Sequence, residues 1–254
     1  MRGSLAGKAD SFRSSTVADH DGLRPGGVRR DARPGRHAAP EGTEEIRMTR
    51  RGASGPYPVA KRALDIAAAS FALVLFLPLF LAIALLIKID SPGPVFFRQI
   101  RVGKDGKPFR FFKFRSMIRD AERHKAALRD RNEAEAPLFK IRDDPRVTAV
   151  GRILRKTSLD ELPQMINVLR GEMSLVGPRP HLPEEVARYG EAYRGRLSVP
   201  PGITCLWQAT ERRSTHFHAW VESDLEYVRT RSFALDLKIL WRTVLIVFSL
   251  REAS

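Results

Sequence analysis

The sequence predicts a helix-rich α+β fold: a mixed domain with a small β-hairpin, placed behind one proline-broken membrane segment. Three observations lead there. A single long uncharged apolar run, Ile66 to Ile87, carries a proline near its middle. Two phenylalanine-rich segments flank a turn signal at Asp105-Gly106. Beyond them, helix-period segments alternate irregularly with short extended ones, unlike the regular succession of a doubly wound sheet.

Residues 1–58 mix Arg, Gly, Ser, Ala and Pro without an apolar period, as in Arg33-Pro34-Gly35-Arg36, which predicts a disordered basic tail. The first 60 residues carry 11 basic and 7 acidic side chains, so +11 of the formal +15 belongs to the part that folds. No secretory signal is expected, because the apolar run begins far into the chain and lacks a small-residue cleavage site at the right distance.

The run from Ile66 to Ile87 is 22 residues long. At about 1.5 Å per residue it can cross a ~30 Å hydrocarbon core. Pro78 removes a helical hydrogen bond and breaks or kinks the helix, leaving halves of roughly 15 to 18 Å, too short to span. Lys61 and Arg62 precede the run while Lys88, Arg98 and Arg101 follow it, so the positive-inside rule asks for both ends in the cytoplasm. A re-entrant hairpin over residues 59–90 satisfies both observations. A single kinked span, its freed backbone groups finding other partners, is the alternative.

After Pro92-Gly93-Pro94, the segments Val95–Val102 and Pro108–Phe114 read as the two strands of a hairpin turning at Asp105-Gly106. Gly103-Lys104-Asp105-Gly106 lacks the spacing of a phosphate loop and any following helix. Cations interleaved with phenylalanines suit stacking on single-stranded nucleic acid, and also suit a membrane surface. Ser116 to Leu138 is charged and helix-forming, a solvated helix or lid in which His124 is no ligand.

Chemistry concentrates at Thr157-Ser158-Leu159-Asp160-Glu161-Leu162-Pro163-Gln164. Pro163 is tolerated only within a first helical turn, so the adjacent carboxylates are expected there, where unpaired N–H groups favour the ionised acid. An ionised Asp serves as nucleophile or metal ligand. Ser158-x-x-Glu161 alone also reads as a capping box, which needs no catalysis. The neighbourhood favours chemistry: Arg152, Arg155 and Lys156 precede the acids, Asp143 and Asp144 lie earlier, and Arg179 follows between two prolines. Carboxylates for a divalent ion, mixed with guanidinium groups for phosphate oxygens, are what phosphoryl transfer requires.

The helix continues through Met165 to Leu169 and closes at Gly171. Pro200-Pro201-Gly202-Ile203-Thr204 reads as a rigid turn. Phe233 to Leu250 reads as an apolar helix for either the core or a membrane interface. A 254-residue chain with 43% hydrophobic content can bury a core in one or two domains. Its single cysteine, Cys205, excludes an internal disulfide and a zinc cluster. The charge and a pI near 10.7 call for a polyanionic neighbour: nucleic acid, anionic lipid or a phosphorylated substrate.

Taken together, these residues resemble the bacterial sugar transferase family, the monotopic phosphoglycosyl transferases, and in particular its shorter, exopolysaccharide-type members. The likeness covers Lys61 to Phe248. It is carried by Lys61-Arg62 with Asp65, the proline-broken segment, Arg101 to Phe109, Lys113-Phe114-Arg115-Ser116-Met117, Ser158 to Gln164, Val176-Gly177-Pro178-Arg179-Pro180, and Pro201-Gly202-Ile203-Thr204. Leu77 stands where the family often has Ser, Pro200 where many members have Arg, and Cys205 and Glu211 replace glycines. Arg212 or Arg213 would compensate for the cation absent at Pro200.

The resemblance implies a re-entrant membrane helix kinked at Pro78 and a cytosolic catalytic domain over 91–254. It places the protein at the bacterial cytoplasmic (inner) membrane, with the catalytic domain on the cytoplasmic face. It also implies transfer of a hexose-1-phosphate from a UDP-sugar to undecaprenyl phosphate, with UMP released and a phosphosugar-aspartate formed on Asp160. Glu161 would assist as base or, with Asp160, as ligand to Mg²⁺. Arg155, Arg179, Lys113 and Arg115 would bind substrate phosphate. The implied partners are the donor, the acceptor and membrane lipid, with no nucleic acid and with room for a homo-oligomer. Two other classes share some of these features: a membrane-tethered nucleic-acid-binding protein and a catalytically silent membrane scaffold. Metal-dependent UMP release separates the enzyme from both.

Overall fold

The computed structural model describes residues 56–133, 139–210 and 217–249. The expected tail lies almost wholly outside them, as do Glu211, Arg212 and Arg213.

Helix α1, Pro56–Leu75, breaks at Phe76 and resumes as α2, Leu77–Asp90, with Pro78 in the first turn of α2. Proline is accommodated there because first-turn N–H groups have no intrahelical partner. The axes bend by 61°. Among the described residues no single helix is long and apolar enough to cross a membrane; the bent pair meets the test of length and composition.

Charges at the base of α1 point into the domain. Asp65, buried, accepts from the Leu175 N–H at 2.9 Å and the Ser174 hydroxyl at 3.1 Å. Arg62 donates to the carbonyls of Val168 and Leu169 at 2.6 and 2.9 Å, serving the carbonyl end of another helix. Lys61 pairs with buried Asp236 at 2.8 Å. Both cations preceding the apolar run therefore lock its base to the protein.

Strands β1, Phe96–Val102, and β2, Pro108–Phe114, pair antiparallel, with Phe96 opposite Phe114 and Val102 opposite Pro108. Asp105 and Gly106 take φ of 57° and 75° at the turn, as their residue types predict. Helix α3, Ala149–Lys156, and α4, Gln164–Leu169, follow. Next come β3, Ser174–Val176, the short helices α5, Pro183–Val186, and α6, Glu191–Arg194, and β4, Gly202–Thr204. Helices α7, Leu206–Thr210, α8, Phe217–Thr230, and α9, Phe233–Ser249, complete the order.

Three apolar clusters join these elements. One packs Ala69 of α1 on Phe109, Phe111, Val168 and Met173, and a second sets Ile83 and Ile87 of α2 against Phe114 and Leu154. The third gathers Val176, Ala209, Tyr227 and Ile239. The bent pair is thus half embedded in the domain. Its other side leaves Phe71, Val74, Leu81 and Leu85 more than half exposed.

Two expectations are corrected. Gly202–Thr204 is a strand, parallel to β3, with Ser174 opposite Gly202 and Val176 opposite Thr204. Its hydrogen-bond partners come from far along the chain, so a local reading sees only the preceding prolines. Between Ser116 and Glu133 the chain forms turns and a 3-10 stretch, Ala126–Arg131, in place of an α-helix. It has charge without a continuous apolar stripe to bury. Helix α9 packs one face into the core: Asp236 and Ile239 are buried, while Leu237 and Trp241 are exposed.

Candidate active site

Thr148 caps α3, its hydroxyl accepting from the Gly151 N–H at 3.0 Å. Gly151 is needed there, because a Cβ would lie 2.0 Å from the Ser116 carbonyl oxygen. The close approach brings the Arg155 Nε to the Ser116 hydroxyl at 3.0 Å. After α3, Ser158 adopts φ 57°, a left-handed conformation costing about 1 kcal/mol or more for a non-glycine residue. That reversal leads into a single 3-10 turn, Leu159–Glu161, which carries both acids.

The acids therefore precede α4 and are not its first turn, with Pro163 at the N-cap. No capping bond from the Ser158 side chain forms; its carbonyl instead accepts from the Glu161 N–H at 3.2 Å. The electrostatics differ from the expectation as well. Burial raises the Asp160 pKa above the ordinary carboxylate value, Lys113 opposes that rise, Glu161 adds to it, and Arg155 also opposes it. Nearby cations, more than a helix terminus, favour the charged form.

Lys113, the penultimate residue of β2 and opposite Phe97, reaches Asp160 at 3.3 Å and Glu161 at 2.7 Å. Arg179 approaches the same Glu161 oxygen at 3.6 Å. Its loop leaves β3 where a Cβ on Gly177 would fall 2.5 Å from the Pro200 carbonyl oxygen, so the chains can approach only through glycine. A cavity of about 870 Å³ opens over this group. Asp160, Glu161, Lys113, Arg155, Arg179 and Arg115 all line it.

Arg115 differs from the other cations in its contacts. It is buried, and its guanidinium donates to the carbonyls of Pro92, Ser91 and Ile87 at 2.9, 2.7 and 3.4 Å, closing the end of α2. Its Nε, also buried, has no protein partner. Asp144 pairs with Arg146, which approaches to 2.6 Å and lowers its pKa. No group of three or more metal-ligating side chains occurs among the described residues. Asp160 and Glu161 do offer two adjacent hard oxygen donors, which fits Mg²⁺ arriving with phosphate oxygens and water in its remaining positions.

Several contributors escaped sequence reasoning. Arg101 donates to the Pro180 carbonyl at 3.1 Å; burial, reinforced by Arg179, lowers its pKa to about 10. Arg196, 2% exposed, donates to the Arg179 carbonyl at 2.9 Å and contacts buried Asp224. In a chain with 44 Lys and Arg residues, nothing local marks the few whose charge is buried.

A family model described as bacterial sugar transferase matches residues 56–250, which spans every element described above. The chain belongs to this family. Three relatives illustrate the similarity of this sugar transferase to named proteins. The galactosyl transferase CpsE of Streptococcus agalactiae serotype III is 44% identical over 190 residues, 74% of this chain and 42% of the relative. The exopolysaccharide production protein ExoY of Rhizobium meliloti is 43% identical over 190 residues, 73% of this chain and 84% of the relative. The UDP-glucose:undecaprenyl-phosphate glucose-1-phosphate transferase of Escherichia coli is 45% identical over 199 residues, 75% of this chain and 40% of the relative. The sugar transferase therefore spans most of ExoY's length and about two fifths of the other two.

Proposed function

We propose that this sugar transferase moves a hexose-1-phosphate from a UDP-sugar to undecaprenyl phosphate at the cytoplasmic face of the bacterial inner membrane, the initiating step of exopolysaccharide or other surface glycan synthesis. The observation that carries the proposal is the buried Asp160 beside Glu161, both held by Lys113 and flanked by Arg155 and Arg179 in one cavity. Names of relatives supply the substrate classes: one is a transferase of glucose-1-phosphate from UDP-glucose to undecaprenyl phosphate.

In the first half-reaction an Asp160 carboxylate oxygen attacks the sugar-bearing phosphorus. The bond from that phosphorus to the bridging oxygen breaks, and UMP leaves with the electron pair. In the second, a phosphate oxygen of undecaprenyl phosphate attacks the same phosphorus, and the Asp160 carboxylate departs free. Storing the phosphosugar on the enzyme lets a soluble donor and a lipid-held acceptor use one cavity in turn. Lys113 and Arg179 compensate charge on the transferring phosphoryl group, and Arg155, oriented by Ser116, adds a third cation. Bound through Asp160 and Glu161, Mg²⁺ would supply charge neutralisation to the diphosphate.

The bent helix pair suits a re-entrant anchor, with the exposed Phe71, Val74, Leu81 and Leu85 covered by lipid. Arg115 links the end of that anchor to the strand bearing Lys113. The deciding experiment is UMP release by detergent-solubilised protein given undecaprenyl phosphate, Mg²⁺ and a panel of UDP-sugars. Release with a UDP-sugar that is lost in Asp160→Asn and with chelator is the expected result. Folded protein releasing no UMP with any UDP-sugar would overturn the proposal.

A further inference from the structure

A second cluster of charged side chains is buried against the main chain of Arg179. Arg196 and Asp224 form an ion pair whose side chains are 2% and 0% exposed. Arg196 also donates to the Tyr189 hydroxyl at 2.6 Å and lies 2.9 Å from His181 Nδ1. Burial and the neighbouring Arg196, Arg101 and Arg179 lower the His181 pKa well below its ordinary value, which favours the neutral imidazole. A charged pair this deep costs several kcal/mol of desolvation per ion and is weak evidence of a stability device. Its contacts point to a different role.

Both backbone polar groups of one residue, Arg179, face the pair. The Arg179 carbonyl accepts from Arg196 at 2.9 Å, and the Arg179 N–H lies close enough to Asp224 to favour its ionised form. Elsewhere along this loop, Arg101 holds the Pro180 carbonyl at 3.1 Å and the Val102 N–H holds the His181 carbonyl at 3.0 Å. Prolines on each side of Arg179 remove two N–H groups that could otherwise anchor the loop. The Gly202 N–H holds the Pro178 carbonyl at 2.9 Å, and the buried pair is what meets the main chain of Arg179 itself.

Resting on the function proposed above, we infer that Arg196 and Asp224 are positioning residues for the reaction. They clamp the main chain of Arg179 so that its guanidinium stands beside Glu161, ready for the donor's diphosphate. They touch no substrate. Tyr189 and His181 complete the clamp by holding Arg196 in its orientation.

Two measurements on the full-length protein test the clamp. The first is hydrogen–deuterium exchange across Val176–His181, which requires no activity. Asp224→Asn and the milder Tyr189→Phe should speed exchange there while leaving the β1–β2 hairpin unchanged; unchanged exchange in this loop, or equal acceleration everywhere, overturns the inference. The second is a double-mutant cycle on kcat/KM for UMP release. Asp224→Asn should lower kcat/KM by at least about fivefold with Arg179 present, and by less than about twofold in an Arg179→Ala background. A structural role alone gives equal losses in both backgrounds, or a loss matching the fraction of unfolded protein, and either overturns it. If Asp224→Asn does not fold, Tyr189→Phe carries the cycle with the same pattern expected. Wild-type protein that releases no UMP overturns the proposed function, while the exchange measurement still decides the clamp.

Discussion

Asp160 is held in two opposing fields, and that has separable consequences. In the proposed reaction its ionised form is the nucleophile, yet burial raises its pKa while Lys113 counters the rise. Activity is therefore present above the raised pKa and is lost as pH falls through it. Lys113→Met removes the opposing cation and should move the acid limb of the kcat/KM profile to higher pH; a limb that stays or moves lower contradicts this assignment. The same shift bears on stability. A carboxyl whose pKa is higher folded than unfolded opposes folding once ionised, so Asp160→Asn should raise Tm at neutral pH. The rise should vanish once the pH falls below the unfolded-state carboxyl pKa, about 3.9. UMP release should fall by at least about 10³-fold in the same variant. Cys205 presents a simpler case. It is 1% exposed, and burial pushes its thiol pKa well above the ordinary value. A thiol reagent should titrate no cysteine in native protein and one after denaturation.

Close backbone approaches govern the elements that carry the site. Gly151 allows α3 to lie against Ser116, and a Cβ there would overlap the Ser116 carbonyl. Gly151→Ala should cost about 1–3 kcal/mol, measured by urea denaturation, and should lower UMP release because Arg155 loses its 3.0 Å bond to Ser116. A variant as stable and active as wild type would show that α3 shifts freely. The bend at Phe76 makes its own prediction. With Cys205 inert, Val59→Cys and Ile89→Cys, both on exposed side chains, report the side of the membrane each helix end occupies. For a re-entrant pair, both cysteines react with an impermeant maleimide from the cytoplasmic face; reaction from opposite faces would identify a kinked span.

At the scale of the whole molecule, the bent helix pair and the candidate site share one set of supports. Lys61, Arg62 and Asp65 tie α1 to α9, α4 and β3, and Arg115 ties the end of α2 to β2. Substituting Phe71 and Leu85 together by Glu should release the protein from liposomes in flotation without lowering its Tm, since both side chains are more than 60% exposed. Retained flotation would place the lipid contact elsewhere. Much of this organisation is legible in the chain. Pro78 in an uncharged run, Asp105-Gly106 between phenylalanine-rich segments, and the adjacent acids before Pro163 declare themselves because their physical effects are local. The strand at Gly202–Thr204, the Ser158 reversal and the buried Arg196–Asp224 pair do not. Strand pairing, left-handed backbone at a serine and burial of charge depend on partners distant in sequence. The sequence by itself determined the kind of chemistry, the broken helix and the hairpin. Only the tertiary structure decided which cations meet Asp160 and Glu161, because in so basic a chain the three-dimensional packing alone selects which charges leave water.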